Sequence, residues 1–165
     1  MLRDFVGRLF GFNREILRLR EKVEELSWDQ AYGMYTRPAF MQFARIMPRG
    51  RRNVAFIDLD DIHRLDQELG STEVDRRVRV TFSVPFRRSD IVARWYSGDE
   101  IVILFDAERA GAERKMIELT AAAAAVEMTF ESALGEWEVG REPVEDVIEG
   151  LSRNVMLART DADGT

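Results

Sequence analysis

One stretch of the sequence, Val92-Ala93-Arg94-Trp95-Tyr96-Ser97-Gly98-Asp99-Glu100-Ile101-Val102-Ile103-Leu104-Phe105, is the best guide to the fold. Two apolar runs flank the turn Ser97-Gly98-Asp99-Glu100, and a glycine in so short a turn is typical of a β-hairpin. The adjacent carboxylates Asp99 and Glu100 repel each other at the tip and have no structural purpose there. Rigidly held acids of this kind indicate a site for a divalent cation.

A second acidic segment follows another apolar run upstream. Residues 54–57 lead into Asp58, Leu59, Asp60 and Asp61, and the two-residue period of a strand places Asp58 and Asp60 on one face. Carboxylate oxygens suit Mg²⁺, which takes one or two protein carboxylates and completes its coordination with substrate phosphates and water. Each segment alone is also compatible with a solvated acidic loop. Together they indicate a metal–nucleotide site.

Composition narrows the class of protein. The chain has 165 residues, with 24 basic and 30 acidic side chains, one histidine and no cysteine. This length allows one domain plus an appendage, and the acidic balance argues against a nucleic-acid polymer as the partner. Disulfides, thiolate-bound metals and cysteine nucleophiles are excluded, and multi-histidine metal sites are disfavoured. No apolar run approaches the roughly 20 residues of a membrane span and no signal peptide is recognised, so a cytoplasmic protein is expected.

The N-terminal segment 1–28 has apolar residues spaced alternately by three and four positions, which predicts a dimerising coiled-coil helix. Glu15 and Arg20 fall at a g and the following e position, a complementary pair between parallel chains. Gly7 and Gly11 weaken the helix, and the pattern also fits a helix packed on its own domain. The apolar positions are Leu2, Phe5, Leu9, Phe12, Ile16, Leu19, Val23 and Leu26.

After residue 28 helices and strands alternate, which predicts an α/β fold with a mixed central sheet flanked by helices. Residues 29–160 form the predicted domain, and residues 161–165 a disordered tail. The run over 53–58 is apolar on both faces and predicts a central strand. The predicted helices cover about 39–47, 61–69, 73–84, 111–126 and 144–159, and the remaining predicted strands are the hairpin over 91–105 and the run over 128–134.

Four stretches, in this order, resemble the GGDEF domain of the diguanylate cyclase family. Residues 29–40, Asp-Gln-Ala-Tyr-Gly-Met-Tyr-Thr-Arg-Pro-Ala-Phe, resemble the opening D-x-L-T-G-L-x-N-R-R-x-F. Residues 58–66, Asp-Leu-Asp-Asp-Ile-His-Arg-Leu-Asp, resemble D-x-D-x-F-K-x-x-N, and Asp75 stands where a later helix-start Asp is expected. Residues 97–101, Ser-Gly-Asp-Glu-Ile, stand for the signature, and Ala158-Arg159 for the closing A-D-x-A-L-Y-x-A-K. The resemblance implies a palm-like nucleotide cyclase fold, with a coiled coil before the domain.

The resemblance implies that two facing domains condense two GTP molecules into cyclic di-GMP, each 3′-hydroxyl attacking the other's α-phosphate. It assigns Asp58, the Leu59 carbonyl and Asp99 to Mg²⁺ (or Mn²⁺). Asp99 and Glu100 become the catalytic pair, with Glu100 orienting or deprotonating the nucleophile. Phosphoryl transfer relies on positioning and charge neutralisation, which these residue types supply.

The resemblance also implies a nucleotide pocket and a product site. Backbone amides where the chain turns into a helix at 61–63 would cradle phosphates. Arg87 and Asp90 have the R-x-x-D spacing with which many members bind product and inhibit themselves, although this spacing is common by chance. It lies six residues before Ser97 instead of the family's five. The implied nucleotide-binding residues are Asp61, Ile62, His63, Asp66, Asp75, Gly98 and Arg159.

Several positions depart from the family's pattern. Asp66 replaces the base-contacting Asn and lacks its amide donors. Asp61 places an extra acid near the phosphates, and His63 and Arg159 replace lysines. Residues 95–96 separate Arg94 from the signature where one residue is usual, which predicts a longer or bulged hairpin.

Three interpretations follow from this mixture of retained acids and altered pocket. The first is a weakened or re-specified cyclase. The second is a catalytically inactive module that binds GTP or cyclic di-GMP and acts as a dimeric sensor. The third, a palm-type polymerase relative, is disfavoured by the acidic charge and small size of the chain.

Overall fold

The structure is a computed structural model that describes residues 27–96 and 98–163. Most of the predicted N-terminal helix 1–28 lies outside the described residues. The described strands are β1 (Trp28–Asp29), β2 (Met34–Thr36), β3 (Gly50–Leu59), β4 (Ile91–Arg94), β5 (Glu100–Phe105) and β6 (Phe130–Val139). The described helices are α1 (Arg37–Ile46), α2 (Ile62–Leu69), α3 (Ser71–Thr81), α4 (Arg109–Ala124) and α5 (Val144–Asp163). The predicted fold class is confirmed.

The strands form one sheet in the order β1-β2-β4-β5-β3-β6. β2 and β4 are parallel and the other neighbours are antiparallel, so the sheet is mixed. In the β4–β5 hairpin Ile91 lies opposite Leu104 and Arg94 opposite Ile101, a constant register without a bulge. The extra residue of the hairpin therefore lengthens the turn, and the alternative of a bulged strand is wrong.

β3 is an internal strand, as its apolar sequence predicts. It pairs with β5 over Asn53–Asp58 and with β6 along its whole length. Val54 through Leu59 are buried because helices cover both faces of the sheet. β3 is next to the edge strand β6 and not at the middle of the sheet.

Two hydrophobic clusters hold the helices on the two faces of the sheet. Neighbouring residues of β3 point to opposite faces, so that Ile57 belongs to one cluster and Phe56 to the other. Helices α2, α3 and α4 cover the first face, and α1 and α5 cover the second. The first cluster includes Tyr32, Leu65, Val74, Val78 and Leu119, and the second includes Phe40, Trp95, Trp137, Ile148 and Leu151.

Local sequence explains where several helices begin. Pro38 lies in the first turn of α1, where a missing N–H costs nothing. Gly70 separates α2 from α3 and has a φ of 83°, a backbone conformation that glycine adopts without strain. Among the helices of the described residues, none is long and apolar enough to cross a membrane.

The largest differences from the predicted elements are at β1 and β2, at β6 and at α5. Strands β1 and β2 were not predicted, because two and three residues are too few to show a strand period. β6 continues to Val139 beyond the predicted residue 134. Gly135 interrupts its pattern because α5 packs closely there: a Cβ would lie 3.0 Å from Leu151 Cδ2. α5 extends to Asp163, past the predicted end at residue 159.

We predict that Phe56→Ala destabilises the protein by about 3–5 kcal/mol, because Phe56 is 1% exposed and its removal leaves a cavity between β3 and the second cluster. Urea unfolding followed by circular dichroism measures the loss. Ile117→Ala is the control: this side chain is 71% exposed, and a change within about 0.5 kcal/mol is expected. Equal losses in the two variants would contradict this description of the core.

Candidate active site

The acidic residues meet at the end of the sheet where β3 stops and β5 begins. Asp58 lies opposite Glu100 in the β3–β5 register. One position further along, the Leu59 N–H donates to the Asp99 carbonyl at 2.9 Å. This hydrogen bond joins the end of β3 to the hairpin tip. Two segments that are distant in the sequence therefore contribute Asp58 and Asp99 to one site.

The hairpin tip lies between Trp95 and Glu100. The Trp95 N–H donates to the Glu100 carbonyl at 2.8 Å and closes the hairpin. Glu100 Oε2 accepts a long hydrogen bond of 3.3 Å from the Tyr96 N–H. A Cβ at Gly98 would lie 3.1 Å from Arg94 Nη2, so glycine leaves the space that Arg94 occupies.

Arg159, near the end of α5, contacts the acidic end of β3. Its Nη1 lies 2.8 Å from Asp58 Oδ1, and its Nη2 donates to the Asp58 carbonyl at 3.2 Å. Nη2 also donates to Asp60 Oδ1. Asp58 and Asp60 therefore share one cation, in agreement with the prediction that they face the same side.

The Asp58 carboxyl is held in an environment that favours its protonated form. Burial raises the pKa of Asp58 above its ordinary value, and the charges of Asp99 and Glu100 raise it further, whereas Arg159 opposes them. Asp99 and Glu100 are thus close enough to repel the Asp58 charge. A divalent ion binds the deprotonated carboxylate, so its binding will weaken with falling pH sooner than at an ordinary aspartate.

The oxygen donors at this end of the sheet suit a hard divalent cation. Asp58 Oδ1 is enclosed and lies 2.8 Å from Arg159 Nη1, so a metal ion would have to take this oxygen from the guanidinium. Within residues 27–96 and 98–163, no three acidic or histidine side chains are grouped closely enough to hold a metal unaided. Mg²⁺ takes one or two protein carboxylates and completes its coordination with phosphate and water oxygens, so Asp58 and Asp99 are candidate ligands.

The start of α2 lies directly after this acidic strand end. Asp61 has a φ of 56°, which is uncommon for a residue with a Cβ and turns the chain sharply into the helix. Arg64 donates to Asp61 Oδ2 at 2.9 Å and also pairs with Glu68. The extra acid is thus partly neutralised. His63 is exposed and Ile62 is half-buried, and the first amides of any helix lack intrahelical partners and can bind an anion.

Tyr32, which nothing in the sequence singled out, lies at the centre of a network beside the hairpin tip. It is 4% exposed, and its hydroxyl donates to the Gly98 carbonyl at 2.5 Å. The Arg94 guanidinium stacks over the Tyr32 ring, 4.4 Å from its centroid, and donates to Asp29 Oδ2 at 2.8 Å. Asp29 Oδ1 accepts the Tyr32 N–H at 3.0 Å and closes the network.

The charges of this network follow from its burial. Burial acts to raise the pKa of Asp29, but hydrogen bonds from Arg94 and from the Tyr32 N–H outweigh it and hold the pKa below its ordinary value. Burial raises the pKa of Tyr32 to about 12; Arg94 opposes the rise, and Asp75 and Asp66 add to it. Asp66 and Asp75, two of the implied nucleotide-binding residues, are half-buried and therefore lie near Tyr32.

Arg87 and Asp90 lie at the opposite end of the sheet from the hairpin tip. Both Asp90 oxygens accept backbone hydrogen bonds, from the Arg87 N–H and from the Asp106 N–H, each at 2.9 Å. Arg87 Nη1 donates to the Asp106 carbonyl at 2.6 Å, so the pair is already bonded to the segment that follows β5. A cavity of about 220 Å³ beside it is also lined by Arg114 and Lys115, which add positive charge.

Solved structures show that this is the GGDEF-domain fold. The coiled coil and GGDEF domain of DgcB from Caulobacter crescentus, in complex with c-di-GMP, has a TM-score of 0.73 at 18% identity, covering 94% of each chain. The diguanylate cyclase SiaD from Pseudomonas aeruginosa, in complex with its activator SiaC, has a TM-score of 0.71 at 15% identity, covering 96% of this chain and 68% of that one. The GGDEF domain of FimX from Pseudomonas aeruginosa has a TM-score of 0.61 at 17% identity, covering 82% of this chain and 94% of that one. No family model and no curated protein sequence matches the chain.

We predict that Tyr32→Phe removes a tyrosine that ionises at about pH 12, visible as a lost step in the near-ultraviolet absorbance of tyrosinate. An unfolded tyrosine ionises near pH 10, so the stability gained from the neutral hydroxyl is complete below about pH 10. It is lost as the pH rises to about 12. The wild-type free energy of unfolding should therefore fall more steeply over this range than that of the variant. A step lost near pH 10 instead would show that Tyr32 is not buried as described.

Proposed function

We propose that this chain, which has the fold of GGDEF domains, is a divergent member of the diguanylate cyclase family that condenses two GTP molecules into cyclic di-GMP. The observation that carries the proposal is the hydrogen bond from Leu59 to Asp99, which brings the acidic end of β3 to the acidic hairpin tip. The start of α2, whose first amides we propose to bind phosphate, follows directly at residue 62. Because GTP is a cytoplasmic metabolite, the proposal places the reaction in the cytoplasm.

In this proposal the phosphates bind between the two acidic segments and the start of α2. Asp58, the Leu59 carbonyl and Asp99 would hold Mg²⁺ or Mn²⁺, which when bound neutralises phosphate charge and polarises the reacting phosphorus. The amides of residues 61–63 would bind phosphate oxygens. Arg159 would donate to the same phosphates, since its guanidinium is already next to Asp58.

Glu100 is proposed to orient or deprotonate the 3′-hydroxyl. Its carboxylate accepts a 3.3 Å hydrogen bond from the Tyr96 N–H, a long contact whose release costs little. Asp99 precedes it in the chain and would remain with the metal ion. At the tip, Asp99 would thus hold the metal ion and Glu100 would accept the proton.

Asp66 and Asp75 are proposed to face the base. Guanine presents the N1–H and the exocyclic amino group as donors, which carboxylates accept well, and its O6 requires a donor that aspartate lacks. The amino group of adenine is also a donor. A pocket with two acids and no amide therefore discriminates guanine from adenine less well than one that contains Asn.

One observation favours the inactive-sensor alternative. Arg159 already neutralises Asp58 and Asp60, and a divalent ion must compete with it for the same carboxylates. In that alternative the chain binds GTP at this site, or cyclic di-GMP near Arg87 and Asp90, where Arg114 and Lys115 add positive charge. A single assay separates the two functions: the cyclase forms cyclic dinucleotide from GTP and Mn²⁺, and the sensor binds without turnover.

We predict that Asp58→Ala and Asp99→Ala each abolish metal-dependent binding of a non-hydrolysable GTP analogue. Isothermal titration in Mn²⁺ measures this, because each variant removes a carboxylate that the metal–nucleotide complex requires. Asp146→Ala, in the exposed first turn of α5, is the matched control and should bind like the wild type. Wild-type affinity in both site variants would refute the metal assignment.

We predict that Asp66→Asn increases the preference for GTP over ATP by about tenfold, which corresponds to one restored hydrogen bond of ~1.4 kcal/mol. Chromatographic separation of cyclic dinucleotides after incubation with each nucleotide and Mn²⁺ gives the ratio. Asp146→Ala again serves as the control. If neither the wild type nor Asp66→Asn forms product from saturating GTP, the enzyme proposal fails and the sensor remains.

We predict that the full chain is a dimer held by the helix proposed for residues 1–28, because the reaction needs two facing sites. Light scattering should give twice the chain mass of 19.1 kDa. Substitution of Leu9 and Ile16 by Asp should reduce it to a monomer, since charges at a and d positions break a coiled coil. Glu15→Gln, at a g position, is the milder control. A wild-type protein that stays monomeric at high micromolar concentration would contradict the prediction.

A further inference from the structure

The hairpin tip that carries Asp99 is anchored outside its own strands by specific bonds. On one side the Asp99 carbonyl accepts the Leu59 N–H at 2.9 Å. On the other side the Gly98 carbonyl accepts the Tyr32 hydroxyl at 2.5 Å. The first bond continues the β3–β5 ladder, whereas the second comes from the turn between β1 and β2, across 66 positions of sequence.

We propose that Tyr32 is a positioning residue whose hydroxyl holds the Gly98 carbonyl and thereby sets the place of Asp99 for the metal–nucleotide complex. The role of Asp99 in this inference rests on the proposed function. The clamp, which is the hydrogen bond from the Tyr32 hydroxyl to the Gly98 carbonyl, rests on the contacts of Tyr32. It belongs to this chain's own departures from the GGDEF pattern, which has Thr where Tyr32 stands.

Two of these departures, the longer turn and the tyrosine at position 32, are complementary. The turn at residues 96–99 is one residue longer than the family pattern, and the constant register of β4 and β5 places the additional length in the turn. A longer turn is less constrained by its strands and costs more entropy to fix. Tyrosine reaches further than threonine by the length of its ring, so that Tyr32 contacts the carbonyl of this longer turn.

The clamp is rigid because the fold fixes Tyr32 from several directions. Its ring is packed in the first hydrophobic cluster, and Arg94 stacks on the ring at 4.4 Å. Asp29 holds Arg94 at 2.8 Å and also accepts the Tyr32 N–H. The hydroxyl is thus fixed by contacts of the ring and of the backbone, which is the arrangement expected of a group that positions a site.

Removing the hydroxyl separates positioning from packing. Tyr32→Phe keeps the ring, its contacts in the core and the stacking of Arg94. Gly98 is half-exposed, so water can hydrogen-bond to its carbonyl in the variant. Folding should therefore change little, with a Tm within about 4 °C of the wild type, while the tip loses its anchor.

Hydrogen exchange measured by NMR tests the clamp without any nucleotide. The Leu59 and Trp95 amides donate to the Asp99 and Glu100 carbonyls, so their exchange reports opening of the tip. In Tyr32→Phe both amides should exchange about tenfold faster, and amides at the far end of the β3–β5 ladder should not change. Tyr35→Phe is the matched control, because the Tyr35 ring packs on Trp28 and Phe43 away from the tip.

Titration of a non-hydrolysable GTP analogue in Mn²⁺ tests the consequence for binding. Affinity should fall about tenfold in Tyr32→Phe and remain at the wild-type value in Tyr35→Phe. Unchanged exchange at Leu59 and Trp95, or equal affinities of Tyr32→Phe and the wild type, would overturn the inference. If the wild type binds no nucleotide, the proposed function fails, and the exchange result alone decides whether the clamp stands.

Discussion

The site depends on the antiparallel pairing of β3 with β5, which places Asp58 opposite Glu100. A slip of one residue would exchange the faces of every side chain in β3. Ile57 and Phe56 are buried in different clusters, on opposite faces of the sheet, so packing on both sides penalises such a slip. The apolar core therefore determines where the acids lie.

The same pairing concentrates negative charge where the sheet ends. Asp58 is 8% exposed and is repelled by Asp99 and Glu100, so its ionised form is costly. Arg159 offsets part of this cost from α5, the last helix of the chain. The acids come from β3 and from the hairpin, and the cation comes from the C-terminal helix. The charge balance of the site is consequently complete only when the whole domain has folded.

Local patterns were enough to predict the fold class, most of the helices and the acids that converge. They work because a buried strand, an amphipathic helix and a glycine-containing turn leave signals within a few residues. The network of Asp29, Tyr32 and Arg94 leaves no such signal, since its members contact one another only after β2 pairs with β4. Strands β1 and β2 were missed for the same reason. The hydrogen bonds that hold Arg87 and Asp90 likewise depend on Asp106, which reaches them only through the fold.

The ion pairs of Arg159 bear directly on how the site would accept a metal ion and a nucleotide. A triphosphate entering with a divalent ion brings more negative than positive charge. Arg159 can then pass from Asp58 and Asp60 to the phosphates while the ion takes the carboxylates, and every charge keeps a partner. Without the ion, the phosphates would compete with Asp58 and Asp60 for a single guanidinium and leave buried negative charge unpaired. Under the proposed function, the charges of the site would therefore favour binding of the metal and the nucleotide together over binding of either alone.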